Sequence, residues 1–276
     1  MAIDFGERQQ TQPVVTAMVT DHGAAMIDLP APVARFRVLA ADRAPQAVET
    51  LAIDTTAWMR RPWMPRIPLE IRMAHRLGYE FVHEIRIGRG ALSFRFGLDA
   101  YVGGHGLMKV GPSLQTGIEF DQGALIALWG EALGFPSAWE RRTDVRWEAV
   151  DERTARLVVA GPEGEIPITV GFDPETGCPA YCSADRYKAK GPKVGWTGMF
   201  SDWRHFDGGV LAPGRFEVQW ADEPYPWIEI QTTSVSVNAP VDDALRLGRE
   251  AFRAVERGRR RGRRAHPDRG SRTSKT

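Results

Sequence analysis

Between Pro45 and Pro240 the chain alternates apolar and polar residues with a period of two, and this alternation limits the fold more than any other feature of the sequence. A period of two puts every second side chain on one face of an extended strand, so one face is buried and the other meets water. Ile67, Leu69, Ile71 and Met73 alternate with Pro68, Glu70 and Arg72. Tyr79, Phe81, His83, Ile85 and Ile87 alternate with Glu80, Val82, Glu84 and Arg86, and after Gly88-Arg89-Gly90 the pattern returns at Leu92, Phe94, Phe96 and Leu98. Such a pair predicts a hairpin with a glycine-containing turn. Similar segments around Val145–Val159, Ile166–Phe172, Phe216–Trp220 and Trp227–Val237 are separated by turn-rich stretches such as Asp173-Pro174-Glu175-Thr176-Gly177. Regular β-α-β alternation is absent, which excludes a doubly wound or α/β-barrel fold. The expectation is a mainly β (α+β) protein with one large, curved antiparallel sheet or incomplete barrel of about ten to twelve strands.

Three segments break the period. Pro30 and Pro32 open a short helix with Val33, Phe36, Val38 and Leu39, since proline fits a first helical turn. Asp121 is placed to cap a helix with Leu125, Leu128, Trp129, Ala132 and Leu133 on one face, ended by Gly134 and Pro136. This helix is expected to pack on the concave face of the sheet. A third helix, from Pro240 to about Glu256, carries Val241, Leu245, Phe252 and Val255 on one stripe. Residues 1–29 read as an extension, 30–256 as one antiparallel β domain with helices, and 257–276 as a tail.

The tail holds nine basic side chains against Asp268 alone, a formal +8, so the chain's net +1 leaves −7 on the remainder. A mildly acidic body argues against a nucleic-acid-binding face on the folded part. The tail itself is expected to be disordered, because beyond Ala265 it has no apolar residue to offset its ordering entropy. Its Arg257, Arg259, Arg260, Arg261, Arg263 and Arg264 are suited to a polyanion or an anionic membrane surface. Without a basic start followed by an apolar run, and without a stretch of about 18 apolar residues, the chain reads as cytoplasmic with no transmembrane segment.

Familiar catalytic signatures are missing: no G-x-S-x-G, no phosphate loop, no H-E-x-x-H, and no G-x-G-x-x-G between a strand and a helix. Gly103-Gly104-His105-Gly106 lies between two strand patterns and predicts a hairpin turn in place of a phosphate cradle. Cys178 and Cys182 match neither zinc-ribbon nor redox spacing and read as reduced packing residues. None of the six histidines sits at metal-ligand spacing from another, so no metal or cofactor is expected, and His83 reads as a core histidine on an apolar strand face. Asp202, His205, Asp185 and Arg186 read as a structural ion-pair group. The nine tryptophans exceed what a few helices can cover, which points to an apolar ligand site.

Asp99-Ala-Tyr101-Val-Gly103-Gly-His-Gly106, Gly130-Glu131-Ala-Leu-Gly-Phe-Pro136-Ser-Ala-Trp139, and Trp196-Thr-Gly198 through Asp202, Gly208 and Pro213 to Trp220 occur in an order that resembles an uncharacterised bacterial family of unknown function. Trp63-Met64-Pro65 and Asp185-Arg186-Tyr187 fit the same pattern, over about residues 30–238. That family is similar in architecture to lipoprotein carriers of the LolA and LolB type. The resemblance implies an incomplete antiparallel barrel around helices, enclosing an apolar cavity. The functional expectation is non-catalytic binding of a lipid or other apolar small molecule, with Trp63, Tyr101, Trp203 and Trp220 as walls and Arg186 as a head-group contact. Asp99 and Glu131 complete the candidate set. They are also the carboxylate bases of the enzyme alternative, placed beside His105 or Arg186. The third alternative is a structural or interaction domain.

Overall fold

The computed structural model describes residues 29–43, 47–188 and 191–265. The extension expected over 1–29 lies outside them except for Leu29. Six strands form a first meander: β1 (Thr50–Met59), β2 (Ile67–Arg76), β3 (Glu80–Ile87), β4 (Phe94–Val102), β5 (His105–Val110) and β6 (Ser113–Thr116). Seven more form a second: β7 (Val145–Ala149), β8 (Thr154–Gly161), β9 (Gly164–Phe172), β10 (Pro179–Tyr187), β11 (Lys193–His205), β12 (Leu211–Trp220) and β13 (Ile228–Val237). All thirteen join one curved, unclosed antiparallel sheet in the order β6-β5-β4-β3-β2-β1-β13-β12-β11-β10-β9-β8-β7. The chain therefore starts in the middle of the sheet, runs out to the β6 edge, crosses to the β7 edge, and returns to the middle. The seam is β1 on β13, with Leu51 opposite Val237 and Met59 opposite Ile228.

The crossing segment is α2 (Ile118–Ala132) followed by α3 (Pro136–Glu140). The helix start differs from expectation: its N-cap is Gly117, and Asp121 lies inside the first turn. There Asp121 accepts the Gly106 N–H at 2.7 Å, which fastens α2 to β5. Nor is the apolar surface confined to one face, because every residue from Gln122 to Gly130 is buried. A helix that is apolar all round needs enclosure, and the concave face of the sheet supplies it. Close approach is possible because small residues line the side of α2 toward β10 and β11. A Cβ on Gly130 would lie 3.3 Å from Cys182 Sγ and 3.4 Å from the Trp196 ring, and one on Gly134 3.3 Å from Trp203.

One end of the barrel is capped by helices. Phe36 of α1 (Ala31–Ala41) meets Trp203 edge-on at 5.6 Å and Phe172 at 6.4 Å. Trp139 of α3 meets Trp147 at 5.7 Å. The β2–β3 turn at this end needs Gly78, which has φ +73° and would place any Cβ 2.8 Å from the Ala138 carbonyl oxygen of α3. On the convex side α4 (Asp242–Ala265) covers β2 to β5, packing Leu245 against Val82, Ala100 and Val102 in a second, smaller core. Arg249 bonds Glu80 at 2.6 Å, and Phe252 stacks on His105 at 4.9 Å. The helix expected to end near Glu256 extends through Ala265, so the disorder expected for 257–276 falls partly on α4 and, from 266 onward, outside the described residues. The strand expected to resume at Leu92 begins at Phe94, because Gly90–Leu92 form a 3-10 turn.

Trp129, 2% exposed at the centre of α2, tests this enclosure. Trp129→Ala is expected to cost about 3–5 kcal/mol in urea denaturation. Trp63→Ala, at a fully exposed loop position, is expected to stay within about 0.5 kcal/mol of the parent protein.

Candidate functional site

The concave face of the first meander can be read from its register. Leu51, His75, Phe81, Tyr101 and Gly106 lie opposite one another across β1 to β5, and the adjacent row is Ile53, Met73, His83, Asp99 and Met108. His75 and His83 thus stand on one face, on diagonal positions either side of the tight β2–β3 turn. Their ring centroids are 5.5 Å apart, and Phe81 stacks against both, 5.8 Å from His75 and 4.3 Å from His83. Glu131, in the last turn of α2, points down at the pair. Its Oε2 is 3.0 Å from His83 Nε2 and 3.2 Å from His75 Nε2.

Arg186 reaches the same interior from the second meander, on the concave side of β10 two residues beyond Ala184 and opposite Val194 of β11. Its guanidinium lies over the rings of Trp196 and Trp220, 5.5 and 5.8 Å from their centroids. Gly123 of α2 makes room for it, since a Cβ there would sit 2.9 Å from Arg186 Nε. That Nε is buried without a hydrogen-bond partner, and both ring nitrogens of His75 are likewise unpartnered among the described residues.

Charge and burial oppose each other here. Burial acts to raise the Glu131 carboxyl, but His83, with weaker help from His75 and Arg186, holds it below the usual carboxylate range. For His83, burial disfavours the proton and Glu131 more than restores it, so the imidazole is raised. Burial pushes His75 down to about 4, against the pull of Glu131. Burial raises Asp99, although His83 and Arg186 favour its charged form, and burial lowers Arg186, although Asp99 and Glu131 favour its charge. The arrangement is a buried ion pair, His83 with Glu131, flanked by a neutral imidazole, a carboxyl and a guanidinium.

Of the candidate residues from the sequence, the structure brings Asp99, Glu131 and Arg186 into one electrostatic group, with Trp220 beneath Arg186. Tyr101 is half-buried on the next row, opposite Phe81. Trp203 is at the capped end, where its Nε1 donates to the Pro179 carbonyl at 2.8 Å. Trp63 is fully exposed in the β1–β2 loop at φ +65°, away from any wall. His105 is not beside Glu131 or Asp99, because β5 turns it to the convex face against Phe252 and Asp121. Asp202 pairs with Arg204 and His205 contacts the Gly209 carbonyl, while Arg186 is elsewhere. Gly103 and Gly104 make the β4–β5 turn with φ +59° and +81°, as expected for a hairpin.

No two histidines stand at metal-ligand spacing along the sequence, but in space His75, His83 and Glu131 form a group whose potential ligand atoms all lie within 4.8 Å of one another. Linear spacing rules describe ligands within one turn or helix, whereas these converge through strand register and a helix from the far side. The readable signal was two histidines at odd positions, eight residues apart, astride Gly78.

A separate opening lies in the wall of the second meander. β10 pairs with β9 only from Pro179 to Ser183, while its β11 pairing continues to Tyr187. Where β9 and β10 part, a cleft of about 520 Å³ opens. Its lining includes Trp196, Ala184, Ile166 and Gln122, with Lys193 and Asp185 among its charged groups. Gln122 belongs to α2, is buried, and accepts the Tyr187 N–H at 3.4 Å, so the cleft reaches the helix inside the sheet. A smaller cavity of about 200 Å³ lies between α1 and α3. No helix among the described residues is long and apolar enough to cross a membrane.

Residues 19–230 match a family of unknown function (DUF6544). Among solved structures, a LolA superfamily protein from Nitrosomonas europaea is 10% identical with a TM-score of 0.45, covering 77% of this chain and 96% of that one. A putative outer membrane lipoprotein-sorting protein domain from Vibrio parahaemolyticus is 8% identical with a TM-score of 0.41, covering 75% and 92%. No curated protein matches the chain.

Two measurements check the electrostatic description. Arg186→Met and Asp99→Asn in a double-mutant cycle are expected to show a coupling of about 1 kcal/mol or more, since each compensates the other's charge. Burial raises the Cys182 thiol to about 12 and raises Cys178 as well. Neither is therefore expected to react with iodoacetamide at pH 8 in the folded protein, and both are expected to react in denaturant.

Proposed function

The chain belongs to the family of unknown function (DUF6544), and we propose that it binds an amphiphilic small molecule, a lipid or a compound of similar make-up, in the cleft between β9 and β10. The carrying observation is the parting of these strands, which opens about 520 Å³ of space in the sheet wall. Ligand sites of soluble proteins fall in the range of about 300–1,000 Å³. The lining is mixed: Trp196, Ile166 and Ala184 offer apolar surface, while Gln122, Lys193 and Asp185 offer polar contacts. A wholly apolar ligand would leave those polar groups desolvated without partners, so a molecule with both characters fits better. The concave interior does not serve as the cavity, because α2 and the aromatic side chains fill it.

A second feature favours a lipid source. By strand polarity, the β1–β2 and β3–β4 loops lie at the same end of the sheet as the β10–β11 loop beside the cleft. The β1–β2 and β3–β4 loops expose Trp63, Met64 and Leu92, with Phe94 at the start of β4 and Trp58 near the end of β1 exposed beside them. Arg61, Arg66, Arg89 and Arg95 are interspersed with these apolar groups. Exposed aromatic and apolar groups among arginines suit an anionic bilayer surface.

A dansylated fatty acid titrated into the full chain is expected to bind saturably, with energy transfer from tryptophan. Ser183→Trp, which fills the cleft from its wall, should weaken binding at least about tenfold. Equal affinity in that variant would defeat the cleft assignment. On vesicles containing phosphatidylserine, Trp63→Ser with Met64→Ser is expected to abolish cosedimentation at low salt. If deletion of residues 257–276 abolishes it and the loop variant does not, the basic tail is the docking element instead.

A further inference from the structure

The cluster at the base of α2 carries an inference that does not depend on the cleft. We infer that His75, His83 and Glu131 form a binding site for a first-row divalent cation of the zinc type. His83 with Glu131 alone could be a structural ion pair. His75 does not fit that account, because it is 1% exposed and both its ring nitrogens lack a hydrogen-bond partner among the described residues. Its Nε2 nevertheless faces Glu131 Oε2 at 3.2 Å, in an orientation that makes no hydrogen bond. Buried polar atoms are mostly partnered, and of the described buried side chains that lack a hydrogen-bond partner only the His75 imidazole has a lone pair to offer, the others being tryptophan and arginine N–H donors, so its nitrogen has room for a partner that accepts one. A cation between the three donors supplies it.

The distances agree with this reading. Bonds of about 2.0–2.1 Å from zinc to nitrogen and oxygen, arranged tetrahedrally, place neighbouring donors about 3.3–3.4 Å apart. Here Glu131 Oε2 is 3.0 and 3.2 Å from the two nitrogens, and all three donor atoms lie within 4.8 Å of one another. The two oxygen–nitrogen separations are near that spacing, and seating the ion requires the two imidazole nitrogens to reach it as well. The donor set also selects its chemistry, since two imidazoles and one carboxylate suit zinc, iron or manganese, whereas calcium and magnesium take oxygen ligands.

The surroundings are those of a prepared site. Phe81 stacks against both imidazoles and the hairpin sets their separation, so two of the three ligands are positioned before any ion arrives. Asp99, directly opposite His83 on β4, is placed as the outer carboxylate that commonly steadies a ligating histidine. The Glu131 side chain retains 18% exposure, which leaves a route from solvent. Three protein ligands leave a fourth position open. Arg186 lies close enough for its charge to act on both Glu131 and Asp99, so an anion at that position would meet a second positive group.

The test uses the full chain, stripped with a chelator and titrated with zinc by calorimetry at neutral pH. One equivalent is expected to bind. His75→Ala and Glu131→Ala should each weaken binding by more than about a hundredfold, while His105→Ala, on the opposite face of the sheet, should leave it unchanged. Should either ligand variant fail to fold, cobalt added to the unaltered chain gives an independent answer. A visible d–d spectrum of four- or five-coordinate nitrogen and oxygen ligation supports the site. The weak spectrum of a six-coordinate hydrated ion, absence of saturable zinc binding, or undiminished binding by folded His75→Ala would overturn it. Failure of the fatty-acid titration would leave each of these outcomes readable.

Discussion

Enclosure of α2 by the sheet is the interaction on which the other features depend. The helix joins the two sheet edges, so its burial is what makes a thirteen-stranded ribbon curl instead of lying flat. An apolar helix in the interior needs surface on every side, and the sheet needs something to fill its concavity. Gly123, Gly130 and Gly134 let the backbone of α2 approach β10 and β11, while Trp129 fills the space toward Gly78. Four of the nine tryptophans, Trp129, Trp139, Trp196 and Trp220, are buried in this enclosure.

The same enclosure creates the polar centre. Since α2 is buried through Gln122 and Gly130, Glu131 at its end cannot avoid the interior, and it is tolerated there because His83 answers its charge. Arg186 and Asp99 come from strands that lie far apart in the sheet order, and they interact only because the sheet wraps the helix. The cleft lies where the β9–β10 pairing stops, with Gln122 of α2 among its lining residues.

Much of the fold was legible in the sequence, because a period of two survives wherever one sheet face is buried. The first meander from Ile67 to Leu98, the turn at Asp173–Gly177 and the glycine turn at Gly103-Gly104 follow from local chemistry alone. β1 was less legible: Thr55 takes an inward position on it, so the apolar alternation is interrupted, and the hydroxyl is satisfied by the Ile71 carbonyl. The Asp121 cap was misread because a helix-capping residue and a side chain that ties a helix to a neighbouring strand look alike in one dimension. For the site, Asp99, Glu131 and Arg186 were legible because each lies in one of the segments that carry the family resemblance. His75 was not, because its importance comes from a diagonal across a hairpin and from a helix about fifty residues later.

The seam between β1 and β13 has a consequence for how the chain is made. Within each meander every strand finds its neighbour a few residues away, but β1 must wait for β13, with Met59 paired to Ile228 and Leu51 to Val237. At ribosomal speeds of about 5–20 residues per second, the interval between the emergence of the two strands is roughly 10–35 s. During that time the nascent first meander carries the unpaired edge of β1, while α2, which follows directly after β6, is already made to cover the rows Leu51–Phe81 and Ile53–Met73. This topology therefore leaves one edge of β1, at the centre of the finished sheet, to be covered by the last strand made.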